Sequence, residues 1–107
     1  MPVESDPTLE MQIEKAPQLI TVRCTGRVVI ETWPKLSTTL RELIPEHKLI
    51  RVNLEGVDRV DSVGIGAMVA VWASAKKAGC DLKFCKPHKY VQDVVELTRL
   101  YDLFEKQ

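Results

Sequence analysis

The feature that most constrains this chain is a change of hydrophobic period that recurs along it. Short runs with apolar residues at every second position give way to longer stretches with apolar residues three and four apart. Period two belongs to strands and a period near 3.6 to helices, because side chains alternate across a pleated strand and return to one face of a helix. Residues 9–13, Leu-Glu-Met-Gln-Ile, alternate as a strand with one wet face, and Ala16-Pro17 supplies a turn. The β-branched run Leu19-Ile20-Thr21-Val22-Arg23-Cys24 follows and ends at Gly26, as a hairpin partner for the first strand.

Helical spacing then takes over. Leu36, Leu40, Leu43 and Ile44 define one face, with Thr32 as N-cap, Pro34 in the first turn and Pro45 at the end. Leu49-Ile50-Arg51-Val52-Asn53-Leu54 reads as a strand and passes through Gly56 and Asp58 into a second helix over residues 63–77. On that helix Ile65, Met68, Val69, Trp72 and Ala75 cover one broad face, and Ala67, Ala70, Val71 and Ala73 make the rest nearly apolar, so it is expected to be mostly covered. Trp72 has two readings, a core side chain or one that reaches a partner. Gly79 ends the helix, Cys80-Asp81-Leu82-Lys83-Phe84-Cys85 alternates again before Pro87, and a last helix is expected over residues 91–104. Its inner face is Val91, Val94, Val95 and Thr98, and Leu97, Leu100, Leu103 and Phe104 carry apolar character onward.

The order is therefore β-β-α-β-α-β-α. Strands separated by helices need crossover connections, so the expected fold is α/β, a single domain with a mixed β-sheet and helices packed against it. Residues 1–8 are expected to form a flexible N-terminal tail and residues 9–107 the domain. A chain of 107 residues has room for one core.

Composition narrows the function. Fifteen Lys and Arg balance fifteen Asp and Glu, which leaves no broad positive field to hold nucleic acid through its phosphates. The longest apolar run, residues 63–73, is interrupted by Gly64 and Gly66 and falls short of the roughly 20 residues that cross a bilayer, so no membrane insertion is expected. Cys24, Cys80 and Cys85 are odd in number, and the start Met1-Pro2-Val3-Glu4-Ser5-Asp6-Pro7 has neither the basic nor the apolar stretch of a secretory signal. Both observations point to the reducing cytoplasm. His47 and His88 lie in separate segments without a second cysteine pair, so neither metal nor cofactor is expected.

The segment Val60-Asp61-Ser62-Val63-Gly64-Ile65-Gly66, at a passage from strand to apolar helix, resembles the STAS family of anti-sigma factor antagonists. The family pattern is a strand ending in Asp or Asn, then an apolar residue, Asp, a hydroxyl residue, a small position, Gly, an apolar residue and Gly. Asn53, Val60, Asp61, Ser62, Gly64, Ile65 and Gly66 supply these in order. Gly26 upstream, the strand after Gly79 and the closing helical segment fit as well, so the resemblance covers residues 9–104. Val63 departs from the pattern, standing where the family often has Ser or Thr, and leaves Ser62 as the one hydroxyl there. In phosphorylated relatives the serine after the Asp accepts phosphate from a kinase that is also the anti-sigma factor.

The resemblance thus implies a non-enzymatic anti-sigma factor antagonist in transcription regulation. It would act by phosphorylation-controlled partner switching, with Ser62 as acceptor and Asp61, Ser62, Val63, Gly64, Ile65 and Gly66 meeting the anti-sigma factor/serine kinase. The alternative within the family is a STAS subunit of a lipid-transport ABC system that binds its ATPase. Beside this, plain structural roles stand open. Ser62 can be a helix N-cap, Gly64 and Gly66 can serve close packing as well as partner approach, and Asp61 can fix the loop, present Ser62 or sit in a solvated turn. Ser74-Ala75-Lys76-Lys77 has a Ser-x-x-Lys spacing, yet no oxyanion loop or Gly-x-Ser-x-Gly elbow accompanies it. Gly64 and Gly66 lack the spacing and the lysine of a phosphate-cradling loop.

Overall fold

The structure, a computed structural model, describes residues 8–46 and 49–105. The expected tail lies outside the described residues apart from Thr8, whose carbonyl oxygen accepts the Arg27 N–H at 2.8 Å; His47 lies outside them too. The elements are β1 (Leu9–Lys15), β2 (Ile20–Val28), α1 (Trp33–Leu43), β3 (Leu49–Val60), α2 (Ser62–Lys77), β4 (Asp81–Cys85) and α3 (Lys89–Thr98), with 3-10 turns at Ile44–Glu46 and Tyr101–Leu103. The sheet order is β1-β2-β3-β4. β1 and β2 pair antiparallel, while β2, β3 and β4 are parallel, as a hairpin followed by two helical crossovers requires.

Register sorts the sheet residues. Ile20, Ile50 and Leu82 share one row and Val22, Val52 and Phe84 another, and all six are fully or almost fully buried. They form one cluster with Leu36 and Leu40 of α1, Met68, Val71 and Ala75 of α2, and Val91 and Val95 of α3. Each large side chain sealed there stabilises the fold by about 1.5–3 kcal/mol over an exposed one. The alternate row Thr21, Arg51 and Lys83 is polar. α2 packs against both α1 and β4, as its apolar composition demands. Arg41 of α1 donates to Ser74 Oγ of α2 at 2.8 Å, so the serine of the Ser-x-x-Lys spacing takes part in helix–helix contact. Trp72 is half-buried against the core, with Lys76 Nζ 5.1 Å from its ring centroid. The three cysteines are free and buried, and burial pushes the Cys24 thiol up to about 12.

Three element ends differ markedly from expectation. β2 and β3 do not stop at Gly26 and Leu54 but run on to Val28 and Val60, which pair. Register shifts between Arg23 and Thr25 and between Gly26 and Arg27 absorb the break in alternation that hides this continuation in the sequence. The last helix ends at Thr98 and does not reach Phe104, because Arg99 adopts the left-handed conformation at φ 58° and the Leu100 N–H turns back to the Val95 carbonyl. Thr98, expected on the inner face, is exposed, and Leu97 is 85% exposed. Phe104 instead pairs beside Phe84 on the outer edge of β4, their ring centroids 5.8 Å apart.

Candidate functional site

β3 delivers the chain to Asp61, which is extended at φ −101° and ψ −179° and caps α2. One carboxylate oxygen, Oδ1, accepts the Gly64 N–H at 2.7 Å. The other, Oδ2, accepts the Ile30 N–H at 2.9 Å, and the Asp61 N–H donates to the Val28 carbonyl at 3.3 Å. A single half-buried residue therefore joins the helix start to the loop between β2 and α1. These bonds fix the start of α2 and the loop between β2 and α1, a loop distant in sequence from Asp61. A carboxylate suits this place because the free N–H groups of a helix N-terminus favour negative charge.

The N-cap reading of Ser62 is corrected by this geometry. Asp61 is the cap and Ser62 the first helical residue, exposed, with no hydrogen bond to its hydroxyl among the described residues. Val63 beside it is 38% exposed. The two glycines separate. A Cβ on Gly64 would stand 2.0 Å from the Val28 carbonyl oxygen, so this position must be glycine for α2 to lie against the end of β2. A Cβ on Gly66 would meet nothing within 4 Å, and the residue is exposed. Ile65 is half-buried against the core. The six residues thus divide into an inward pair, Asp61 and Gly64, an outward set, Ser62, Val63 and Gly66, and Ile65 between them.

Sequence reasoning missed Ile30. It is 55% exposed, and its backbone is tied to the carboxylate that caps α2. Nothing in the periodicity links it to a residue 31 positions away. Trp33, 38% exposed, opens α1 just after it. Farther along, Asp58 and Arg59 of β3 and Tyr90 of α3 line a shallow depression of about 270 Å³. Among the described residues no group of three His, Cys, Asp or Glu is placed to hold a metal, and no helix is long and apolar enough to cross a membrane.

Comparison with solved structures supports the fold over nearly its whole length. The anti-sigma factor antagonist SpoIIAA in its unphosphorylated form superposes with a TM-score of 0.75 at 16% identity, covering 92% of this chain and 88% of that one. The phosphorylated form of SpoIIAA, described as a Bacillus cell fate determinant, gives 0.71 at 15% identity, with 92% and 91% covered. An anti-sigma factor antagonist from Mycobacterium paratuberculosis gives 0.79 at 17% identity, with 91% and 83% covered. No individual curated sequence is similar enough to stand beside these. The family profile described as STAS domain matches residues 10–106, nearly the full chain, and the strand–helix order matches the STAS fold. The chain belongs to the STAS domain family.

Proposed function

We propose that this chain is an anti-sigma factor antagonist that works by partner switching, binding an anti-sigma factor/serine kinase while Ser62 carries no phosphate. The observation that carries the reading is the unengaged, exposed hydroxyl of Ser62, placed on a helix start whose cap is supplied by Asp61. Modifying such a hydroxyl costs the fold no hydrogen bond. In the step itself, the Ser62 oxygen takes the γ-phosphoryl group of ATP, the hydroxyl proton is given up and ADP leaves.

A phosphate adds about −1.5 to −2 charges next to the Asp61 carboxylate, and the helix N-terminus tolerates this in the free protein. In a tight complex the same charge would be desolvated, so affinity falls while the fold survives. Val63, Gly66 and Ile30 supply the outward surface around the serine. The reading keeps the chain non-catalytic and cytoplasmic, with the chemistry residing in the partner.

Incubation with the cognate kinase and ATP should add one phosphate, at Ser62, seen in intact-mass and fragment spectra. Calorimetry should show Ser62→Asp binding the kinase on the order of ten-fold more weakly than Ser62→Ala, and the phosphorylated protein more weakly still. Phosphate on Ser74 or Thr98, or equal affinities of all three forms, would sink the reading. Capture of an ABC-type ATPase from the native cell in place of a kinase would transfer the chain to the transporter branch of its family.

A further inference from the structure

A second site lies away from Ser62, where the C-terminal segment folds back. Arg51 of β3 presents two N–H groups side by side, Nε at 2.6 Å and Nη2 at 2.9 Å from the two carboxylate oxygens of Glu105. This fork is a carboxylate seat, and the protein's own Glu105 occupies it. The seat opens on a cavity of about 500 Å³, inside the range of roughly 300–1,000 Å³ usual for small-molecule pockets. Val95, Pro87, Tyr101 and Phe104 give it apolar wall, with Lys86 and Glu96 also at the lining.

The occupant is held loosely in one respect and firmly in another. Both partners of the ion pair keep about a third of their side-chain surface in water, at 38% and 32%, and pairs so placed exchange readily. The Glu105 backbone, in contrast, is fixed by its N–H to the Phe84 carbonyl at 3.0 Å, so the side chain can leave the seat without the segment unfolding. A soluble carboxylate would replace one charge-assisted fork by another, and an apolar tail would add contact with the aromatic wall.

We propose that this cavity is a binding site for a small carboxylate with an apolar tail, and that Glu105 occupies its Arg51 seat as an internal competitor. The proposal is independent of the role of Ser62.

The probe is octanoate, with acetate as a head without the tail and 1-octanol as a tail without the charge, titrated into the ¹⁵N-labelled full chain and followed by NMR. Octanoate should give saturable shifts centred on Arg51, Cys85, Val95 and Phe104, and neither control should saturate. Arg51→Gln should weaken binding at least ten-fold. Glu105→Gln removes the competing charge and should tighten it about three-fold or more, a gain that damage to the fold would not mimic. Octanol saturating like octanoate, shifts mapping elsewhere, or Glu105→Gln binding no tighter than the parent chain would each overturn the proposal.

Discussion

The starts of α1 and α2 look alike on paper and are built in opposite ways. Each follows a strand, and each has a hydroxyl residue at its threshold, Thr32 and Ser62. Thr32 occupies the N-cap position but makes no cap bond; its buried hydroxyl donates to the Arg27 carbonyl at 2.7 Å and accepts the Val29 N–H at 3.0 Å, holding its own loop together. At α2 a carboxylate one residue earlier takes over the capping, and the serine hydroxyl is left without a structural task. A hydroxyl is spare for modification when a neighbour has relieved it of duty, and residue type alone does not reveal that.

Substitutions test the contrast. The largest effect should come from Gly64→Ala, whose methyl would meet the Val28 carbonyl, and urea unfolding should show a loss of about 3 kcal/mol. Asp61→Ala should cost about 2 kcal/mol, since both the cap and the tie to Ile30 go, with Asp61→Asn in between because its amide keeps one acceptor oxygen. Thr32→Val should cost about 1–2 kcal/mol by leaving the Val29 N–H without its acceptor, measured in the same assay. Gly66→Ala should reverse the sign and stabilise by about 0.5–1 kcal/mol, read as a higher midpoint, because nothing around it needs glycine. Smallest of all, Ser62→Ala should stay within about 0.5 kcal/mol of the parent chain. A Ser62→Ala loss as large as that of Asp61→Ala would erase the contrast between the two helix starts.

Element types and their order were legible because the periods are clean: Leu36, Leu40 and Leu43 mark a helix and Ile50 and Val52 a strand without ambiguity. Ends were harder. The end of α2 could be read from Gly79, which takes φ 77° while the Cys80 N–H bonds the Ala75 carbonyl. The end of α3 could not, because Arg99 takes the same left-handed turn and arginine carries no such signal. At the site, the motif located residues 61–66 but not their division of labour. Gly64 and Gly66 look equivalent as letters, and only the approach of the Val28 carbonyl separates them. Ile30 was beyond reach, since it reaches the Asp61 carboxylate through its backbone N–H, which any residue but proline could donate.

The return of Phe104 and Glu105 beside β4 also gives the sheet a direction of growth. One margin already carries a short stretch of chain, bonded through the Phe84 carbonyl, whereas among the described strands β1 at the other margin pairs with β2 alone. An open strand edge is a template for another strand, and β1 meets that hazard with Glu10, Glu14 and Lys15 among its seven residues. Trimming the chain before Phe104 would bare a second margin at β4, the more apolar one, where Phe84 and Leu82 stand with a single charge of each sign, Lys83 and Asp81. By covering that margin Phe104 and Glu105 would restrain edge-to-edge association, and a chain trimmed before Phe104 should show the loss first as concentration-dependent turbidity on warming.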